Sequence, residues 1–211
     1  MATRVQIYAA NGVAIAVVAR SGSLREIVEA GEDVVLEQAM WHPLDGSPAQ
    51  SVGDLILPPD DIHIAISEAM EEGPVHAQWH DVEVDLGPYR VTGQMPTMPG
   101  FDPGRALARP TGEFVLLRDV QIVLLDGAEA GSVHQRSALV NRYVVDRVEA
   151  DLMLGFFFPG AEMVVTGGHE STAAGAGADP SPGGAPAAGP APAETGVANE
   201  HEPGHSTPAV A

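Results

Sequence analysis

The chain has 211 residues, 29 of them acidic and ten basic, for a formal net charge of −19, and every basic residue is an arginine. The absence of lysine excludes Schiff-base chemistry and the phosphate-binding lysine of a P-loop, and the absence of cysteine excludes disulfides, thiolate nucleophiles and thiolate metal sites. Five of the acids lie in the last 46 residues, so the rest of the chain stays strongly acidic and repels phosphate backbones and anionic lipid heads.

In chain order, Arg4 to Tyr8 reads as a strand with Val5 and Ile7 on one face. Asn11-Gly12 is a type I′ hairpin signal, and Val13 to Ala19 is the returning strand. That run has only seven apolar residues, at the lower edge of the roughly 7–15 a signal peptide needs, so a strand is the better reading. Ser23 with Glu26 forms a capping box for a short helix whose apolar face is Leu24, Ile27 and Val28, ended by Gly31. Strands follow at Val34 to Trp41, Val52 to Leu57 and Ile62 to Ile66, the last two separated by Pro58-Pro59-Asp60-Asp61, which reads as a turn.

A second series opens after Gly73-Pro74. Val82 to Leu86 alternates strictly, Gly87-Pro88 is a turn, and Tyr89 to Gln94 is the next strand. Glu113 to Gly127 is the longest apolar stretch with strand character, broken only by Arg118-Asp119. A buried ion pair inside a strand is costly, so a β-bulge or bend that turns both side chains outward is expected there. Val133 to Val140 and Arg142 to Val148 complete the series. Laid on the first series, Val82 matches Val5 at an offset of 77, Leu125-Asp126-Gly127 matches Leu44-Asp45-Gly46 at 81, and Leu139 matches Leu57 at 82. The expectation is one small β unit written twice.

The second series resembles a bacterial domain family of unknown function. The resemblance rests on Val91 and Gly93, Pro99-Gly100, Phe114 with Leu116, Asp119-Val120, Ile122 and Asn141. It implies small Sm-like or SH3-like barrels, with Asn141 turning between the last two strands. It attaches no activity to any residue. The arginine-only, Ala/Gly/Pro-rich composition also suits a bacterial source with GC-rich DNA.

Candidate chemistry is sparse. His76, His80 and Asp81 have a metal-like spacing but too few ligands, and Asp60-Asp61 beside His63 reads as a turn before it reads as an acid–base group. There is no nucleophile elbow and no glycine-rich phosphate loop, so no catalytic residue, metal or cofactor is assigned. Phe156, Phe157 and Phe158 cannot all face one interior if they lie on a strand, because strand side chains alternate. They are therefore the candidate interaction patch, with packing into the fold as the alternative.

The expected fold is mainly β. Two tandem small Sm/SH3-like barrel repeats carry one short helix and a disordered C-terminal tail. Residues 1–72 are the first repeat, 73–165 the second with a phenylalanine-rich C-terminal strand, and 166–211 the acidic Ala/Pro/Gly-rich tail. No apolar run approaches the roughly 20 residues of a membrane span, so a soluble, cytoplasmic protein is expected. The leading reading is a non-enzymatic interaction or scaffold protein that associates with itself or another protein. The alternative is a small-molecule sensor whose pocket between the repeats is lined by Trp41, Trp79, Tyr89 and Phe101. An Sm-like nucleic-acid binder comes third, disfavoured by acidity unless the arginines of residues 90–147 cluster on one face.

Overall fold

A computed structural model describes residues 2–69, 71, 73–100, 112–125 and 131–166. The described residues form eleven strands: β1 (Thr3–Ala9), β2 (Gly12–Val18), β3 (Val34–Pro43), β4 (Gln50–Leu57), β5 (Ile64–Ser67), β6 (Gln78–Leu86), β7 (Tyr89–Thr97), β8 (Phe114–Leu124), β9 (Val133–Asn141), β10 (Arg147–Ala150) and β11 (Glu162–Val165). One helix, α1 (Leu24–Val28), and a 3-10 turn at Pro59–Asp61 complete the regular structure. The strands make a single open sheet in the order β11-β10-β6-β7-β8-β9-β5-β1-β2-β3-β4. The fold is therefore mainly β, as expected. One continuous sheet that does not close runs through both halves. Of the tail expected over 166–211, Thr166 donates its N–H to the Ala150 carbonyl at 2.8 Å, and residues 167–211 lie outside the described residues.

The order contains two runs of five, β5-β1-β2-β3-β4 and β10-β6-β7-β8-β9, which are the same permutation of consecutive strands. They join through antiparallel pairing of β5 with β9, Ile64 opposite Val140 and Ala65 opposite Leu139. Because successive strand side chains point to opposite faces, the central strands feed two different cores. Val115, Leu117, Ala138, Val140, Ile64 and Ile66 bury on one face. Phe114, Leu116, Leu139, Ala65, Val5 and Ile7 bury on the other. The β6, β7 and β10 strands close over the first core, and β2, β3 and α1 over the second. Ile62 precedes β5 and turns to the second core, away from Ile64 and Ile66.

Local chemistry explains the element ends. Ser23 caps α1: its hydroxyl accepts from the Glu26 N–H at 3.2 Å and its own N–H donates to the Glu26 carboxylate at 2.8 Å, the reciprocal box expected. Leu24, Ile27 and Val28 are buried beneath it. The first hairpin departs from expectation. Ala9 pairs with Gly12, so the turn is Ala10-Asn11, and neither Asn11 nor Gly12 has the positive φ of a type I′ turn. Gly12 serves another purpose, because a Cβ there would overlap the Trp41 indole. The strand expected over Arg142 to Val148 begins only at Arg147. The Asn141 side chain accepts the Tyr143 N–H at 3.0 Å, which turns the chain away from β9.

The bulge expected at Arg118-Asp119 is present. Asp119 has φ 51°, and the β7–β8 register shifts between Thr92 and Gln94. Gly93 lies against it, where a Cβ would come within 3.0 Å of the Arg118 carbonyl oxygen. Gln38 has φ 53° at the matching shift, between Ile15 and Val17 in the β2–β3 register.

Candidate functional site

A concave region surrounds Trp41. A cleft of about 530 Å³ lies between the β1–β2 turn, the end of β3, the inner side of β4 and the segment before β5. Its apolar wall is Trp41 with Val52, Leu55 and Leu57, and its polar groups are Asn11, Asp61 and His63. On the other side of the indole, a second hollow of about 630 Å³ reaches Pro88 and Leu124 of the second half. Trp41 stands where it does because its partner strand offers glycine: the ring lies over Gly12, which has no side chain to displace it.

His63 enters the cleft from a constrained position. Its N–H donates to the Tyr8 carbonyl and its carbonyl accepts from Asn141, both at 2.9 Å, which ties it to both halves. The ring meets Tyr89 edge to face at 6.4 Å, and its Nδ1 is buried without a hydrogen-bond partner among the described residues. Burial pushes the imidazole below its ordinary 6.5, outweighing the Asp146 and Asp61 carboxylates that act to raise it. At neutral pH the ring is therefore uncharged. Asp60 and Asp61 do form a turn, as expected, but that turn places Asp61 on the rim beside His63. Sequence reasoning set this trio aside; the cue available was a polar residue flanked by the buried Ile62 and Ile64.

Of the four aromatic residues expected around one pocket, Trp41 lines the cleft. Tyr89 is buried behind the hairpin, its hydroxyl donating to the Ala9 carbonyl at 2.8 Å, and burial pushes that phenol well above its ordinary 10.0. Trp79 lies elsewhere, with the Arg118 guanidinium 3.7 Å above its ring. Phe101 is outside the described residues.

The phenylalanine run is not on a strand. It forms a turn between β10 and β11, so the alternation argument does not apply to it. Phe158 is buried at 1% exposure, Phe157 packs against the same core, and Phe156 meets Phe157 edge to face at 5.9 Å. The buried Arg142 donates from Nη2 to the Phe156 carbonyl at 3.3 Å, pinning the turn to the end of β9.

The metal-like trio is dispersed in use: His80 Nε2 lies 3.0 Å from the Thr97 hydroxyl, and no group of three or more potential metal ligands exists among the described residues. Among the described arginines, Arg90, Arg118 and Arg147 are engaged by neighbouring side chains. Arg90 grips Asp85 through two bonds of 2.7 and 2.9 Å. Arg147 lies among Glu83, Asp85 and Glu149, and Arg118 bonds Gln94. Arg105 and Arg109 lie outside the described residues. No helix among the described residues is long and apolar enough to cross a membrane.

Comparison with protein-family models, curated proteins and solved structures gives no match to this chain.

Proposed function

We propose that the chain is a non-enzymatic interaction protein that self-associates through β4. The observation that carries this reading is the open edge of that strand. β4 bonds to β3 on one side and ends the sheet on the other. It is eight residues long, whereas the opposite edge, β11, has four. An unpaired edge of that length presents free N–H and C=O groups to another strand, and natural edges are usually blunted by charge, proline or shortness. β4 has no arginine or proline and one acid, Asp54. Its outer face adds an apolar pair, Ile56 at 59% exposure opposite Val35 at 49%.

The rest of the reading draws on the same architecture. β9, which ends the other run of five as β4 ends its own, has its corresponding edge covered by β5, so this position already takes a strand within the chain. The shared permutation and the paired bulges at Gln38 and Asp119 support a duplicated Sm- or SH3-like unit. With the phenylalanine run packed inward, β4 replaces it as the surface for association. The engaged arginines weigh against nucleic acid.

Light scattering on the full chain, beside an Ile56→Arg variant, tests the proposal. Ile56 is exposed, so the variant should melt like the parent. An oligomeric parent and a monomeric variant support self-association through β4. A monomeric parent, or an oligomer indifferent to the arginine, sinks it.

A further inference from the structure

We infer that the cleft beside Trp41 binds a small aromatic cation, a planar ring carrying a protonated nitrogen. This goes beyond self-association, because the cleft opens on the inner side of β4 and not along its edge.

Size and lining come first. A space of about 530 Å³ is within the range of small-molecule pockets, which are mostly apolar with a few convergent polar groups. The wall here is an indole and three aliphatic side chains. Leu55 and Leu57 pack against the second core yet remain half-exposed, and Val52 is 40% exposed. Leu55 and Leu57 belong to the face the rest of the sheet buries, and no residue of α1 lines the cleft. A flat ring laid between Trp41 and the leucines would cover them.

The polar groups choose the charge of the occupant. Among the described residues, Asp61 is the one acidic residue lining the cleft, and no arginine lines it. The neighbouring His63 stays neutral at pH 7 because it is buried, so it does not cancel the carboxylate. The electron-rich face of an indole also attracts cations, and more so than other aromatic rings. An anionic ligand would meet Asp61 with no compensating base, in a chain whose net charge is already −19. Carboxylates and phosphates are therefore disfavoured, and a neutral ring keeps only the stacking. Asn11 and the His63 ring supply hydrogen-bonding partners for a nitrogen at the mouth.

Three probes share one ring and differ in charge: benzamidine, benzamide and benzoate. Each is titrated into the full chain carrying Trp79→Phe, so that fluorescence reports Trp41 alone. Saturation-transfer NMR on the parent chain repeats the measurement without relying on that variant's fold. Saturable binding in the order benzamidine, benzamide, benzoate is expected, with benzamidine ahead of benzamide by roughly fivefold, as for one partly exposed charge pair. Asp61→Asn, a surface change, should erase that preference while leaving benzamide binding intact. Equal binding of all three, binding of none, or an unaltered preference in Asp61→Asn overturns the inference.

Discussion

Gln38 and Asp119 stand 81 residues apart and hold the same left-handed backbone conformation, at φ 53° and 51°. Each sits at a bulge in β3 or β8, the strand that lies fourth in its run of five, where two residues must be accommodated against one and the strand bends. Neither is glycine, so each carries a steric cost that a side chain without Cβ would remove. Gln38→Gly is expected to raise stability by about 0.5–1 kcal/mol, and Asp119→Gly by less, because aspartate tolerates this conformation better. Gln38→Val should instead destabilise. Urea midpoints at constant m-value measure all three.

Gly12 is expected to be intolerant for a reason unrelated to its backbone angles. A methyl group there overlaps the Trp41 ring, and the indole must leave its place on β2. Gly12→Ala should cost about 1–3 kcal/mol, as overpacking does, and shift the Trp41 emission toward that of exposed indole. Gly46 serves as the control for substitution by alanine in open space, since nothing lies within 4 Å of its missing Cβ; only its positive φ of 83° adds strain there.

The phenylalanine turn should divide by position. Phe158 is fully buried, so Phe158→Ala is expected to lose about 3–5 kcal/mol. Phe156→Ala, with a half-buried ring, should lose clearly less. Neither change should alter the oligomeric state of whatever remains folded, which light scattering below the melting temperature would show.

Stability should fall as pH drops below about 6.5, the ordinary histidine value from which His63 is lowered. The sign follows from linkage. Below that pH the unfolded chain takes up the proton while the buried ring in the folded chain resists it, so protonation favours unfolding. Above it both states are neutral and His63 adds no pH dependence. Thermal melts of the parent and of His63→Gln across pH 5–8 check this: the variant should have the shallower loss on the acid side.

Sequence alone determined the local vocabulary of this protein. Strict alternation at Val82 to Leu86 marked a strand, Ser23 and Glu26 marked a helix start, and the charged pair Arg118-Asp119 inside an apolar run marked a bulge. Each is a signal written within a few residues, by side-chain period or by a side chain bonding its own backbone. The phenylalanine run misled because its strand was assumed from composition, while Pro159 and Gly160 and the grip of Arg142 make it a turn. What only the tertiary structure decided depends on contacts between distant segments. Pairing of β5 with β9 fused both halves into one sheet, and that sheet gave Leu116 and Leu117 separate cores on its two faces. The same fusion carried His63 next to Gly87 and Tyr89 and set Asp61 at the mouth of the Trp41 cleft. No local pattern encodes such a meeting, because burial and charge at a site are sums over everything the fold brings near it.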